Sequence, residues 1–117
     1  MEVINLEKAV RLMDGDQELF GDLFEIIESS LPEKYRAIET AMANDSAVDL
    51  ELYAHQLKGA LRNVAADEVC ALLEKLEKSG ARNDFASARE IYPRLKPMVD
   101  QVLEYYRSRV WASAFAK

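Results

Sequence analysis

His55 is the only histidine in the chain, and the stretch around it, YAHQLKGALRNVAA from Tyr53 to Ala66, is where the sequence gathers its chemistry. A neutral imidazole nitrogen is a competent nucleophile. Lys58 follows three residues later, the spacing at which side chains meet on a helix, and Arg62 lies two turns along. Two cations beside an imidazole, in a chain of net charge −6, suit an anionic group held on or near the ring. Either cation alone is accounted for by a solvated helix face. Gly59 falls inside what otherwise reads as a helix, at a cost of about 1 kcal/mol against alanine. It removes a side chain that would crowd the ring.

The direction of His55 follows from a helical wheel at about 100° per residue. Leu50, Tyr53, Leu57, Ala60, Leu61 and Val64 gather within roughly 60° of the pole opposite the histidine. His55 shares its own side with Val48, Glu51, Leu52, Lys58, Gly59 and Arg62. The imidazole therefore faces away from the apolar stripe, against the buried structural role usual for a lone histidine. Val48 and Leu52 place aliphatic surface on the exposed side, which reads as a docking rim. For Leu52, packing against a neighbouring long helix explains the residue equally well.

The elements that must position this face read as helices throughout. Asn5 caps a short first helix, about Leu6 to Met13, closed by Asp14-Gly15. Asp16 caps a long second one. Its apolar positions Leu19, Phe20, Leu23, Phe24, Ile26, Ile27, Leu31, Tyr35, Ile38 and Met42 recur at helical spacing as one broad buried face. Pro32 kinks that helix without ending it. Ser46 with Asp49 opens the third, Ala47 to Val64, and Asp67 the fourth, which stops near Ser79-Gly80. Asp84 starts a last segment from Phe85 to about Val110, distorted by Pro93 and Pro97 into a kinked continuous helix or two pieces. The expected architecture is all-α, an antiparallel four-helix bundle with an additional short N-terminal helix. It spans residues 1–117 as a single domain with a core of about 5–110. In the tail 111–117, Trp111 and Phe115 either pack on the bundle or continue toward a partner or a further domain.

Composition narrows the function. A pI near 4.8 lacks the basic footprint of a nucleic-acid binder. One His, one Cys and scattered carboxylates make no zinc ligand set, and four glycines assemble no phosphate loop. No apolar run approaches the ~20 residues of a bilayer span, and the N-terminus lacks the pattern of a signal peptide. Cys70 alone cannot form an internal disulfide, in keeping with a reducing compartment. A cytoplasmic protein, monomeric and without membrane insertion, is expected.

General acid–base catalysis needs a pocket and a second positioned group, and a convex helix face offers neither. Covalent capture of a group delivered by another protein needs only an accessible ring and a cation. Phosphoryl transfer fits, since its demands are positioning and electrostatic stabilisation. No cofactor is expected on this chain: the acceptor carboxylate and its Mg²⁺ would come with the partner. A metal or hydrolytic enzyme would need a further group near His55, and the wheel supplies only Glu51.

The run AHQLKGALRNVAADEVCALLEKLEKSG resembles the histidine phosphotransfer (HPt) domain family of phosphorelays. The resemblance rests on His-x-Leu-Lys-Gly at 55–59 and the Leu76-Glu77 pair, supported by GDQELFGDLFEIIESSLPE as the second helix, and it extends over roughly residues 5–110. It implies that His55 is the phosphoacceptor, exchanging a phosphoryl group with the aspartate of response-regulator receiver domains, in a pathway headed by a sensor or hybrid histidine kinase. Lys58 would steady the phosphate and Gly59 leave room for the receiver, with Gln56 and Arg62 as secondary contacts. Neither ATP binding nor independent catalysis is implied. Glu77 matches a glutamate that orients the imidazole in chemotaxis-kinase relatives; here it reads first as a surface carboxylate. The family often carries glycine ten residues after the histidine, where this chain has Ala65, a mild change at the turn into the fourth helix. The competing reading is a non-catalytic HPt-like module that binds a receiver or kinase without taking phosphate.

Overall fold

Four of the turns in this protein are built the same way. In each, a residue with positive φ follows the helix: Asp14 (52°), Asp45 (50°), Ala65 (58°) and Asn83 (55°). The next residue's N–H then reaches back five positions, from Gly15 to the Val10 carbonyl, Ser46 to Ala41, Ala66 to Leu61 and Asp84 to Ser79. This is the Schellman closure, which satisfies carbonyls at a helix end and reverses the chain within a few residues. Ser46 and Asp84 then serve at once as N-caps of the next helix, their side chains accepting from Asp49 N and Ser87 N. Asn5 and Asp16 cap the first two helices as expected, accepting from Lys8 N and Leu19 N.

The computed structural model describes residues 3–115; residues 1, 2, 116 and 117, part of the N-terminal segment and tail read above, lie outside them. The order is α1 (Leu6–Leu12), α2 (Gln17–Ala43), α3 (Ala47–Arg62), α4 (Asp67–Ala81), α5 (Phe85–Ile91), a 3-10 turn (Tyr92–Arg94), α6 (Leu95–Ser108) and α7 (Ala112–Phe115). Helices α2, α3, α4 and the α5–α6 rod form the expected all-α antiparallel bundle. Among the described residues, no helix is long and apolar enough to cross a membrane.

The core runs along the axis through Phe20, Phe24, Ile27, Leu31 and Ile38 of α2, Leu50, Leu57 and Leu61 of α3, Leu73 and Leu76 of α4, and Leu95, Val99 and Val102 of α6. Two residues assigned to the buried face of α2 are outside it: Leu19 and Ile26 are exposed. Helix α3 ends two residues earlier than expected, at Arg62, because the turn to α4 takes up Asn63–Ala66. Helix α4 runs on through Gly80 to Ala81, with Asn83 providing its left-handed stop.

Pro32 lies inside α2, which continues past it to Ala43. Pro93 falls in the 3-10 turn, and Pro97 sits in the first turn of α6, where no intrahelical N–H is required. Ile91, Tyr92, Arg94 and Leu95 all keep right-handed helical dihedrals, so α5 and α6 form one bent rod jointed by a single 3-10 turn. The Tyr92 hydroxyl and Lys96 ammonium both bind Glu39, fastening the joint to α2.

The tail packs on the bundle. Trp111 and Phe115 are buried. The Trp111 ring stacks on Tyr106 and packs against Phe20 and Phe115, and its indole N–H donates to the Tyr106 carbonyl at 2.7 Å. Helix α7 lies against α1.

Candidate functional site

The Ser46 cap sets the start of α3, and from there the helix presents Val48, Leu52, His55 and Gly59 outward. The His55 side chain is 61% exposed, as the wheel requires. Val48 is 77% exposed and Leu52 is exposed beside it. Gln56 and Arg62 are exposed as well. Gln56 lines a groove between α2 and α3 with Ser30, Glu33 and Tyr53, while Arg62 borders another on the α4 side with Lys8, Lys58 and Cys70. Ile26 of α2, assigned by its spacing to the buried face, is 63% exposed. The apolar period alone hid this, because only packing decides which edge of that broad face stays open.

A Cβ built at Gly59 would meet nothing within 4 Å. The fold does not require a glycine there, so the space it leaves opens to the outside of the bundle.

Lys58 departs from the wheel. It shares the side of His55 by spacing, yet α4 packs over that flank and leaves its side chain 10% exposed. Its Nζ lies 2.6 Å from Glu77 Oε1, as a close ion pair rather than an aligned hydrogen bond. The other Glu77 oxygen, Oε2, lies 3.1 Å from His55 Nδ1. Glu77 is therefore no free surface carboxylate: its side chain is 20% exposed and joined to both residues. Partial burial pushes its carboxyl up, but the Lys58 ammonium and the His55 ring outweigh this and hold it below the usual carboxylate range.

The carboxylate paired with the ring is thus Glu77, across the helix interface, and not Glu51 on the same helix. Facing a carboxylate, which only accepts, the neutral ring carries its proton on Nδ1 and leaves the Nε2 lone pair free. Cys70 completes the interface between α3 and α4, its thiol donating to the Lys58 carbonyl at 3.5 Å. Burial pushes that thiol up to about 11, so it stays protonated. Among the described residues, no group of three or more His, Cys, Asp or Glu side chains is placed to hold a metal ion.

Ala65 adopts φ +58° at the position where the resembling family often has glycine. The turn keeps the same closure as its neighbours, and the Ala65 carbonyl accepts from Asn5 N at 2.9 Å. The cost of alanine there is conformational energy, with no change of turn type.

Comparison with known proteins gave no match among curated proteins or solved structures. The family model described as Hpt domain, a phosphocarrier module of two-component signalling, matches residues 22–105, from early α2 through most of α6. That stretch is well over half the chain and includes His55, Lys58, Gly59 and Glu77. The chain belongs to the Hpt domain family.

Proposed function

We propose that this protein is a cytoplasmic phosphoryl carrier that takes a phosphoryl group onto His55 from one receiver-domain aspartate and yields it to another. The observation that carries this reading is the pairing of an exposed His55 ring with Glu77 through Nδ1. In the transfer, the Nε2 lone pair attacks the phosphorus of the partner's aspartyl phosphate. The bond from phosphorus to the carboxyl oxygen breaks, and the carboxylate leaves with the electron pair. The ring then carries phosphate on Nε2 and its original proton on Nδ1, and its new positive charge faces the Glu77 carboxylate. Lys58, held by Glu77 at 2.6 Å, lies one turn from the ring and is placed to turn its ammonium toward the phosphoryl oxygens. Val48, Leu52, Gln56, Gly59 and Arg62 form the surface that meets the receiver. Mg²⁺ and the acceptor carboxylate reside on that partner.

The test is transfer of labelled phosphate from a phosphorylated receiver to the purified chain. Acid-labile, alkali-stable label is expected on the wild type and none on His55→Gln, with helix content unchanged. Lys58→Ala is expected to slow transfer. Label that persists in His55→Gln would remove His55 from its role, and a wild-type chain that binds receiver without taking label would make it a docking module.

A further inference from the structure

Two glycines lie within the helices of the site, Gly59 in α3 and Gly80 in the last turn of α4, and they meet opposite surroundings. Around Gly59 there is open space, whereas Gly80 is pressed against the main chain of α3. A Cβ at position 80 would stand 2.7 Å from Glu51 N, 3.0 Å from Glu51 Cα and 3.0 Å from Ala47 O. All three are backbone atoms of a helix and cannot swing aside. Any side chain at 80 would force α3 and α4 apart by roughly half an ångström, enough to forfeit a sizeable part of the contact energy along the seam.

That seam has regular spacing. Helical spacing puts Ala47, Glu51, Ala54 and Lys58 in one row of α3, at intervals of four, three and four, and Cys70, Leu73, Glu77 and Gly80 in one row of α4, at three, four and three. Contacts tie the two rows at successive levels: Gly80 to Ala47 and Glu51, Glu77 to His55 and Lys58, Cys70 to the Lys58 carbonyl. Glu77 precedes Gly80 by three residues, so the two face α3 one turn apart. Across this close approach the glutamate side chain spans to both His55 Nδ1 and Lys58 Nζ.

We propose that Gly80 is a positioning residue for phosphoryl transfer, acting through Glu77: its missing side chain sets the separation of α3 and α4 at which the Glu77 carboxylate holds His55 and Lys58 together. This inference rests on the phosphocarrier reading of His55 for its consequence in transfer, and on geometry alone for its effect on the ring. Gly80 itself touches no reacting atom.

The experiment compares the full chain, labelled with ¹⁵N-histidine, as wild type, Gly80→Ala, Glu77→Gln and the double variant. Val99→Ala, in the core on α6, serves as a destabilised control remote from the seam. Gly80→Ala is expected to move the His55 nitrogen resonances toward those of Glu77→Gln and to slow phosphoryl uptake from a phosphorylated receiver about three- to tenfold. The double variant is expected to be no slower than Glu77→Gln, and Val99→Ala to lower the Tm with the His55 resonances unmoved. A Gly80→Ala protein that loses stability while its His55 resonances stay at wild-type positions would overturn the proposal. So would a double variant whose rate loss is the product of the two single losses. Should Gly80→Ala not fold, Ala54→Ser presses the same seam from α3. A shifted His55 ring then supports the proposal, and an unshifted ring overturns it. The nitrogen resonances require no phosphate, so they report on Gly80 even if His55 takes no label, whereas labelling of the wild type tests the carrier reading separately.

Discussion

Glu77 Oε2 lies 3.1 Å from His55 Nδ1, joining two residues 22 positions apart across the α3–α4 interface. The contact fixes which ring nitrogen is occupied and puts a negative charge where the ring would become positive in the proposed phosphorylation. Replacing Glu77 by Gln keeps an acceptor but removes the charge. Transfer to His55 should slow about tenfold, corresponding to roughly 1.4 kcal/mol of lost stabilisation, as measured in a single-turnover assay with a phosphorylated receiver.

The same carboxylate gives a pH signature in stability. Its folded pKa lies below the ordinary value of 4.5, with burial opposing and Lys58 and His55 dominating. The stabilisation is therefore fully present above that value and is lost as pH falls through the lower folded pKa. Glu39, held down first by the Tyr92 hydroxyl and then by Lys96, contributes in the same acidic window. Melting temperature should fall on acidification below about pH 4.5, and less steeply in Glu77→Gln, by thermal melts followed by circular dichroism.

Gly59→Ala separates folding from function. With nothing within 4 Å of the new methyl group, the variant should gain up to about 1 kcal/mol from helix propensity. Its rate of transfer from a receiver should nevertheless drop, by about tenfold if the methyl group holds the partner off the ring. Urea denaturation and the transfer assay, run together, give both numbers.

Ala65→Gly should stabilise the chain. An L-residue at φ +58° bears a cost of roughly 1–2 kcal/mol that glycine avoids, less the greater entropy glycine loses on folding. A net gain of about 0.5–1 kcal/mol is expected from the urea midpoint, with transfer rates unaltered.

Trp111→Ala removes the centre of the aromatic cluster formed with Phe20, Tyr106 and Phe115. A loss of about 3–5 kcal/mol is expected, as for other buried aromatic truncations. In the wild type, Trp111 fluorescence should change with the same midpoint as the helix signal.

Much of this was legible in the sequence because it depends on local rules. Asn5, Asp16, Ser46 and Asp84 cap their helices through side-chain bonds three residues ahead, and such bonds need no tertiary context. The outward direction of His55 follows from periodicity within one helix. What escaped depends on where a second helix lies. The wheel places Lys58 beside His55 and says nothing about α4 closing over that flank. Ile26 belongs to an apolar period whose open edge only tertiary packing defines. Glu77 acquires its partners through the register of α3 on α4, where Gly80 closely approaches the α3 backbone, an approach that no pattern within α4 reveals.

Because α7 lies against α1, the polypeptide enters and leaves the bundle at one pole. A segment joined at either end would start from that pole, beside the groove that Lys8 of α1 shares with Lys58 and Arg62. In the proposed relay, a carrier with a single histidine would meet its donor and its acceptor in turn through the same surface, so the two partners would exclude one another.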